Sequence, residues 1–145
     1  MTENRTMTVR EAMTSRTELA TPDMSLRDAA RLMRDCDIGS LPVGENDRLI
    51  GMITDRDITV RAVAEGRDVQ KTPVRDAMTS KVLYVYDDEP IEVAAQTMAD
   101  LQVRRLPVLD RERHLVGILA LSDVSIEGPA DSAAEALRGV SEPSA

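Results

Sequence analysis

The sequence has no tryptophan, no phenylalanine and only two tyrosines, Tyr84 and Tyr86, in 145 residues. That argues against a single-strand nucleic-acid binder, which needs aromatic stacking platforms. It also leaves Leu, Ile, Val, Ala and Met to build the core. A single cysteine, Cys36, excludes an intramolecular disulfide and fits a reducing, cytoplasmic compartment. A single histidine, His114, and the absence of CxxC or HxxxH spacing leave no zinc ligand set. No apolar run approaches the roughly 18 residues of a membrane helix. The polar opening Met1-Thr-Glu-Asn-Arg-Thr lacks the apolar stretch of a signal peptide. Positive charge is scarce: 18 Lys and Arg against 26 Asp and Glu give a net charge of −8. Such a chain repels a phosphate backbone, so nucleic acid is not the expected partner. What remains is ordinary for a globular chain, with 42% hydrophobic and 30% charged residues. The length suits one compact domain or two very small ones.

An internal repeat organises the chain. Residues 9–15 read Val-Arg-Glu-Ala-Met-Thr-Ser, and residues 74–80 read Val-Arg-Asp-Ala-Met-Thr-Ser, 65 positions later. Leu26, Ala29, Ala30, Met33 and Asp35 return as Ile91, Ala94, Ala95, Met98 and Asp100. Leu41-Pro42-Val43 returns as Leu106-Pro107-Val108. After one inserted residue, Leu49 to Ile53 returns as Leu115 to Leu119, and Asp57-Ile58 as Asp123-Val124. The organisation predicted is repeat 1 over 8–65, a linker over 66–73, repeat 2 over 74–126 and a tail over 127–145.

Each repeat reads as strand, helix, strand, strand, helix. Short strands are expected at Thr17 to Ala20 and at Val82 to Tyr86. Ser25 suits a helix N-cap, and Pro90 suits the first turn of the matching helix. Leu26, Ala29, Ala30 and Met33 form an i, i+3, i+4, i+7 stripe, as do Ile91, Ala94, Ala95 and Met98. Leu41-Pro42-Val43 and Leu49 to Thr54 are the next strands, joined through the turn-rich Gly44 to Asp47. A second helix starts near Asp55 and stops at Gly66. In the tail, a short helix is expected around Asp131 to Leu137. One such repeat cannot cover its own apolar sheet face, so two should stack into a single pseudo-twofold α/β (α+β) domain of two βαββα units.

Thr54-Asp55-Arg56-Asp57 reads two ways. Thr-x-x-Asp at a strand-to-helix junction resembles a capping box. The same residues suit a nucleoside phosphate: a helix N-terminus and a hydroxyl for the phosphate, and a carboxylate at Asp57 for the ribose hydroxyls. Arg104-Arg105 reads as a solvated pair or as an anion site, because a guanidinium fork binds phosphate in a bidentate way. Cys36, whose repeat partner is Leu101, reads as a core or half-buried thiol. His114 reads as an exposed turn residue. The recurring pairs Met13/Met78 and Met33/Met98 read as core. No nucleophile, base or metal set points to catalysis.

The Val-Arg-x-Ala-Met-Thr openings and the Leu-Pro-Val strands carry a resemblance, as does Gly51-Met-Ile-Thr-Asp-Arg-Asp-Ile58 with its second copy Gly117-Ile-Leu-Ala-Leu-Ser-Asp-Val124. Over about residues 8–126 the chain resembles tandem cystathionine-β-synthase (CBS) domains, the pair called a Bateman module. It looks similar to stand-alone two-CBS bacterial stress and signalling proteins, the hypoxic-response type among them. The resemblance implies a non-catalytic regulatory protein that binds an adenosine-containing ligand such as AMP, ADP, ATP, NAD or S-adenosylmethionine. It implies no metal except Mg²⁺ carried by a nucleotide, a homodimer, and an effector protein that reads the change.

By the same resemblance, each site is shared between repeats. The main one would draw on Thr54, Asp55, Arg56 and Asp57 with Thr79, Val82, Val103, Arg104, Arg105, Leu106 and Pro107. Arg105 matches a phosphate-binding position of the AMP-activated kinase γ subunit. A second, degenerate one would draw on Ser122 and Asp123 with Thr14, Thr17, Ile38, Gly39, Ser40, Leu41 and Pro42. Ala120 stands there in place of Thr54, and Gly39-Ser40 in place of Arg104-Arg105, so the hydroxyl and both cations are missing. That site is expected to be weaker or empty. The rival expectation is a dimerisation scaffold indifferent to ligand.

Overall fold

A computed structural model describes residues 7–15 and 18–127. The chain forms two compact units, one from residues 18–82 and the other from residues up to 17 together with 83 onward.

Helix α1 (Val9–Ala12) belongs to the second of these units, and helix α2 (Leu26–Cys36) opens the unit of residues 18–82. Ser25 caps α2, its Oγ accepting the Asp28 N–H at 3.1 Å, as the sequence suggests. Leu26, Ala29 and Met33 of the apolar stripe are buried, and the helix stops at Asp37 in a left-handed conformation (φ 54°). Strands β1 (Ser40–Glu45) and β2 (Arg48–Thr54) form an antiparallel hairpin. Asn46 and Asp47 turn it with φ of 54° and 64°, the paired left-handed geometry of a two-residue type I′ turn. After Thr54 come one α-helical turn, α3 (Asp55–Ile58), and a π-helical turn (Thr59–Val63), closed by the Ala64 N–H donating to Thr59 O at 2.8 Å. The single regular helix expected from Asp55 to Gly66 is thus a composite. Leu26, Leu41, Val43, Ile53, Ala62, Val74 and Ala77 make the core. Burying each large apolar side chain contributes about 1.5–3 kcal/mol.

The other unit has α1, β3 (Val85–Tyr86), α4 (Ile91–Leu101), β4 (Arg105–Leu109), β5 (Leu115–Ala120) and α5 (Leu121–Glu127). β3 runs parallel to β4, and β4 antiparallel to β5. Pro90 precedes α4, whose Ile91, Ala94, Ala95 and Met98 pack on Leu106, Val108 and Leu119.

The opening segments are exchanged. Residues 7–15, the start of repeat 1, pack on the elements of repeat 2. Val9 N–H donates to Glu89 O at 2.9 Å, Arg10 pairs with Asp87, and Thr14 bridges Ile118. Residues 74–79, the start of repeat 2, pack on the elements of repeat 1. Val74 N–H donates to Met24 O at 2.8 Å, Arg75 pairs with Asp23, and Thr79 bridges Met52. The compact units therefore differ from the stretches 8–65 and 74–126 set out by the repeat. Val9 and Val74 are fully buried at these docking points, which is why the exchange is well anchored.

Each crossing is made at a glycine. A Cβ on Gly51 would sit 2.6 Å from Thr79 O and 2.9 Å from Met78 Sδ; one on Gly117 would sit 2.6 Å from Thr14 O and 2.8 Å from Met13 Sδ. Met13 and Met78 are half-buried against these glycines, whereas Met33 and Met98 lie in the cores.

Other expectations shift. The strand at Thr17 to Ala20 reduces to one parallel bridge from Ala20 to Val43, with Thr17 outside the described residues. The strand at Val82 to Tyr86 shortens to Val85–Tyr86, because its parallel pairing reaches only Val108 and Leu109. The helix at Asp131 to Leu137 lies outside the described residues. Among the described residues no helix is long and apolar enough to cross a membrane.

Candidate ligand-binding site

Thr54 ends β2 in extended geometry (φ −119°, ψ 162°), which turns its side chain back onto α3. Its Oγ1 accepts the Asp57 N–H at 3.0 Å, and Asp57 Oδ2 accepts the Thr54 N–H at 3.0 Å. The capping box is therefore formed, with Asp in the place usually held by Glu or Gln. The N–H of Asp55 donates to Gly39 O at 2.9 Å, and that of Arg56 to Asp55 Oδ1 at 2.8 Å. The first three amides of α3 are all committed, and two carboxylates share its first turn. A phosphate finds no free amide there. Asp57 differs: its side chain is largely buried, and no hydrogen bond reaches Oδ1 among the described residues. Arg61 Nε lies 3.8 Å from that oxygen, within ion-pair range. Thr79, paired with Met52, is two residues along β2 from Thr54, so the structure brings Thr54, Asp57 and Thr79 into one neighbourhood. Val82 is half-buried in the same unit, and Arg56 is exposed.

The matching junction in the other unit repeats this frame with fewer groups. Asp123 Oδ2 accepts the Ala120 N–H at 2.8 Å, and Leu121 N–H donates to Arg104 O at 2.7 Å. Ala120 has no hydroxyl to return the bond. Ser122 is exposed, and Thr14 bridges Ile118, two residues before Ala120. Val103, Arg104, Arg105, Leu106 and Pro107 also belong to this unit. The Arg104 side chain is exposed and that of Arg105 half-buried; among the described residues neither has an acidic partner. Leu106 and Pro107 are buried, as are Leu41 and Pro42, so these four offer a ligand backbone rather than side chain. Ile38 and Ser40 are half-buried and Gly39 exposed, all three in the unit of residues 18–82.

That unit also holds a pocket of about 480 Å³ lined by Met33, Arg34 and Asp37 of the α2 end, Gly39, Asp55 and Ile58. The sequence pointed to Ile38, Gly39 and Asp55 as site residues, to Met33 only as part of the apolar stripe, and to Arg34 and Asp37 not at all. Cys36 is exposed rather than in the core: helical spacing sets it on the side of Ala29 and Met33, but it is the last residue of α2. His114 is half-buried in the β4–β5 turn, its Nδ1 3.2 Å from Asp110 Oδ2 and 3.6 Å from Glu112 Oε2. The His114 N–H holds the Asp110 carboxyl below the usual carboxylate range. These three side chains are the one group among the described residues able to converge on a metal ion.

The CBS domain family matches this chain twice, over residues 9–63 and 74–127. The CBS domain-containing protein YhcV of Bacillus subtilis is 40% identical over 134 residues, covering 92% of this chain and 94% of its own. The crystal structure of Hypoxic Response Protein I, described with two coordinated zinc ions, is 35% identical with a TM-score of 0.71. It covers 83% of this chain and 98% of its own. The crystal structure of CBSX2 in complex with AMP is 30% identical with a TM-score of 0.70, covering 82% of this chain and 93% of its own.

Proposed function

Since the chain belongs to the CBS-domain family and carries two copies of that domain, we propose that it is a non-catalytic sensor of an adenine nucleotide of the AMP, ADP, ATP or NAD class. The observation that carries this reading is the pair Arg104 and Arg105, two cations without an acidic partner among the described residues of a chain of net charge −8. Such a pair calls for an anion. Asp57 supplies a second feature: a carboxylate whose Oδ1 is uncommitted to any hydrogen bond suits the two hydroxyls of a ribose. Thr79 and Val82, in the same unit as Asp57, would flank the base. AMP in the related CBSX2 supports the ligand class.

The nucleotide brings Mg²⁺ with it where the ligand requires it. The bound state differs from the free state in conformation or in a homodimer, and an effector protein in the cytoplasm reads that difference. Such coupling requires the ligand to bind one state better than the other. A ligand-independent scaffold is the second reading. It is favoured by Ala120 in the place of Thr54, without its hydroxyl, and by Gly39-Ser40 in the place of Arg104-Arg105, without their cations.

The test is a thermal-shift panel of AMP, ADP, ATP, NAD, NADH and S-adenosylmethionine, with and without Mg²⁺. Ligand at 100 times its Kd adds about 2.7 kcal/mol, which raises the Tm by roughly 5–10 °C for a chain of this size. A selective rise that Asp57→Ala removes supports the sensor. No shift at millimolar ligand, with a partner still retained in a pull-down, supports the scaffold.

A further inference from the structure

Asp57 has a neighbour that its counterpart lacks. Arg61 lies one turn on, where i and i+4 side chains meet, with Nε 3.8 Å from Asp57 Oδ1. Its Nη1 donates to the carbonyls of Ala77 and Met78 at 3.3 and 3.4 Å. These carbonyls belong to the segment that crosses β2 at Gly51. The guanidinium is therefore held on one side by backbone and set on the other against the carboxylate oxygen that the capping box leaves over. The π-helical turn Thr59–Val63 carries Arg61, and such turns recur at functional sites. In the second repeat the position matching Arg61 is Glu127, so Asp123 has no such cation four residues on.

We infer that Arg61 is an affinity-setting counter-ion that competes with the ribose hydroxyls for Asp57 Oδ1. This rests on the reading of Asp57 as the ribose acceptor. In the free protein the arginine partly neutralises that oxygen. A neutral diol must displace it or share the oxygen with it. The site thereby holds its ligand more weakly than the bare carboxylate would, as a sensor of an abundant nucleotide requires. The 3.8 Å separation is too long for a hydrogen bond, so the arginine restrains binding without blocking it.

The experiment is calorimetry with adenosine, chosen because it is uncharged and does not engage Arg104 or Arg105 through a phosphate. Removing an ion pair whose cation is exposed should tighten adenosine binding by about two- to five-fold in Arg61→Met. Arg61→Lys, which keeps the charge, should stay near the parent. Parent affinity for adenosine should rise between about 50 mM and about 500 mM salt as the pair is screened, and Arg61→Met should lose that slope. A purely structural role would move neither the salt slope nor the difference between Met and Lys. If Arg61→Met unfolds, Arg61→Gln takes its place. Unchanged or weaker adenosine binding in these variants, with Asp57→Ala still abolishing it, overturns the inference and leaves the ribose site standing. If Asp57→Ala binds like the parent, the ribose reading itself falls and the inference with it.

Discussion

Replacing Gly51 by alanine places a methyl group 2.6 Å from Thr79 O and 2.9 Å from Met78 Sδ. Ordinary contact begins at 3.4 Å, so the carbonyl must retreat by about 0.8 Å. The methionine sulfur can swing aside, but the carbonyl is backbone. It accepts the Met52 N–H at 2.9 Å, and Thr79 N–H returns a bond to Met52 O at 2.9 Å. Overpacking a tight site costs about 1–3 kcal/mol, and each weakened hydrogen bond adds about 0.5–1.5 kcal/mol. Together these predict a loss of about 2–6 kcal/mol, which lowers the Tm by roughly 5–25 °C. Gly117→Ala should behave alike, since its Cβ would meet Thr14 O at 2.6 Å. Gly66→Ala is the control. Gly66 has φ 72°, and an added methyl there would meet nothing within 4 Å, so only backbone strain of about 1–2 kcal/mol operates. Differential scanning calorimetry of the three variants reads the order directly. If Gly51→Ala and Gly117→Ala melt within about 2 °C of the parent, the crossings are not close-packed and the account of the exchanged segments is wrong.

Asp57→Ala should weaken adenine-nucleotide binding roughly 10- to 150-fold, the worth of a hydrogen bond to a charged group, while Asp123→Ala should change it little; calorimetry with the best ligand of the thermal panel checks both. Arg105→Ala should weaken AMP about 10-fold or more and leave adenosine unaffected, because only the phosphate meets the guanidinium. Leu26→Ala, at a fully buried position of the α2 stripe, should destabilise by about 2–5 kcal/mol in urea unfolding. Asp110 is held below the usual carboxylate range, first by the His114 N–H and then by the His114 side chain and the Glu112 N–H. Its folded value lies under its unfolded value of about 3.9, so the stability it contributes is present above that pH and fades as pH falls through the folded value. Asp110→Asn should therefore lose less stability than the parent between about pH 7 and about pH 3, measured by urea midpoints.

Much of the fold is legible in the chain because its causes are local. Ser25 caps α2 through Asp28, three residues away. The Leu26, Ala29, Met33 stripe and its copy at Ile91 to Met98 face the cores because helical periodicity leaves them no other side. Thr54 and Asp57 close a capping box that their spacing alone allows. Other features are not local. Cys36 matches Leu101 in the repeat, and both are exposed at their helix ends, which only the packing of those ends determines. The π-helical turn that carries Arg61 has no composition of its own.

The residues by themselves determined the duplication, the secondary elements within a few positions, the family, and the Thr54–Asp57 capping box, because each depends on side-chain type and short-range spacing. Only the tertiary structure decided that each opening segment docks on the elements of the other repeat, through buried Val9 and Val74 and the crossings at Gly117 and Gly51. It also decided that the Asp55 amide is taken by Gly39 O, and that Arg61 is held beside Asp57 by the Ala77 and Met78 carbonyls. The physical reason is the same in each case: these are partnerships between residues far apart in the chain or between backbone groups, and neither leaves a pattern in the order of the amino acids.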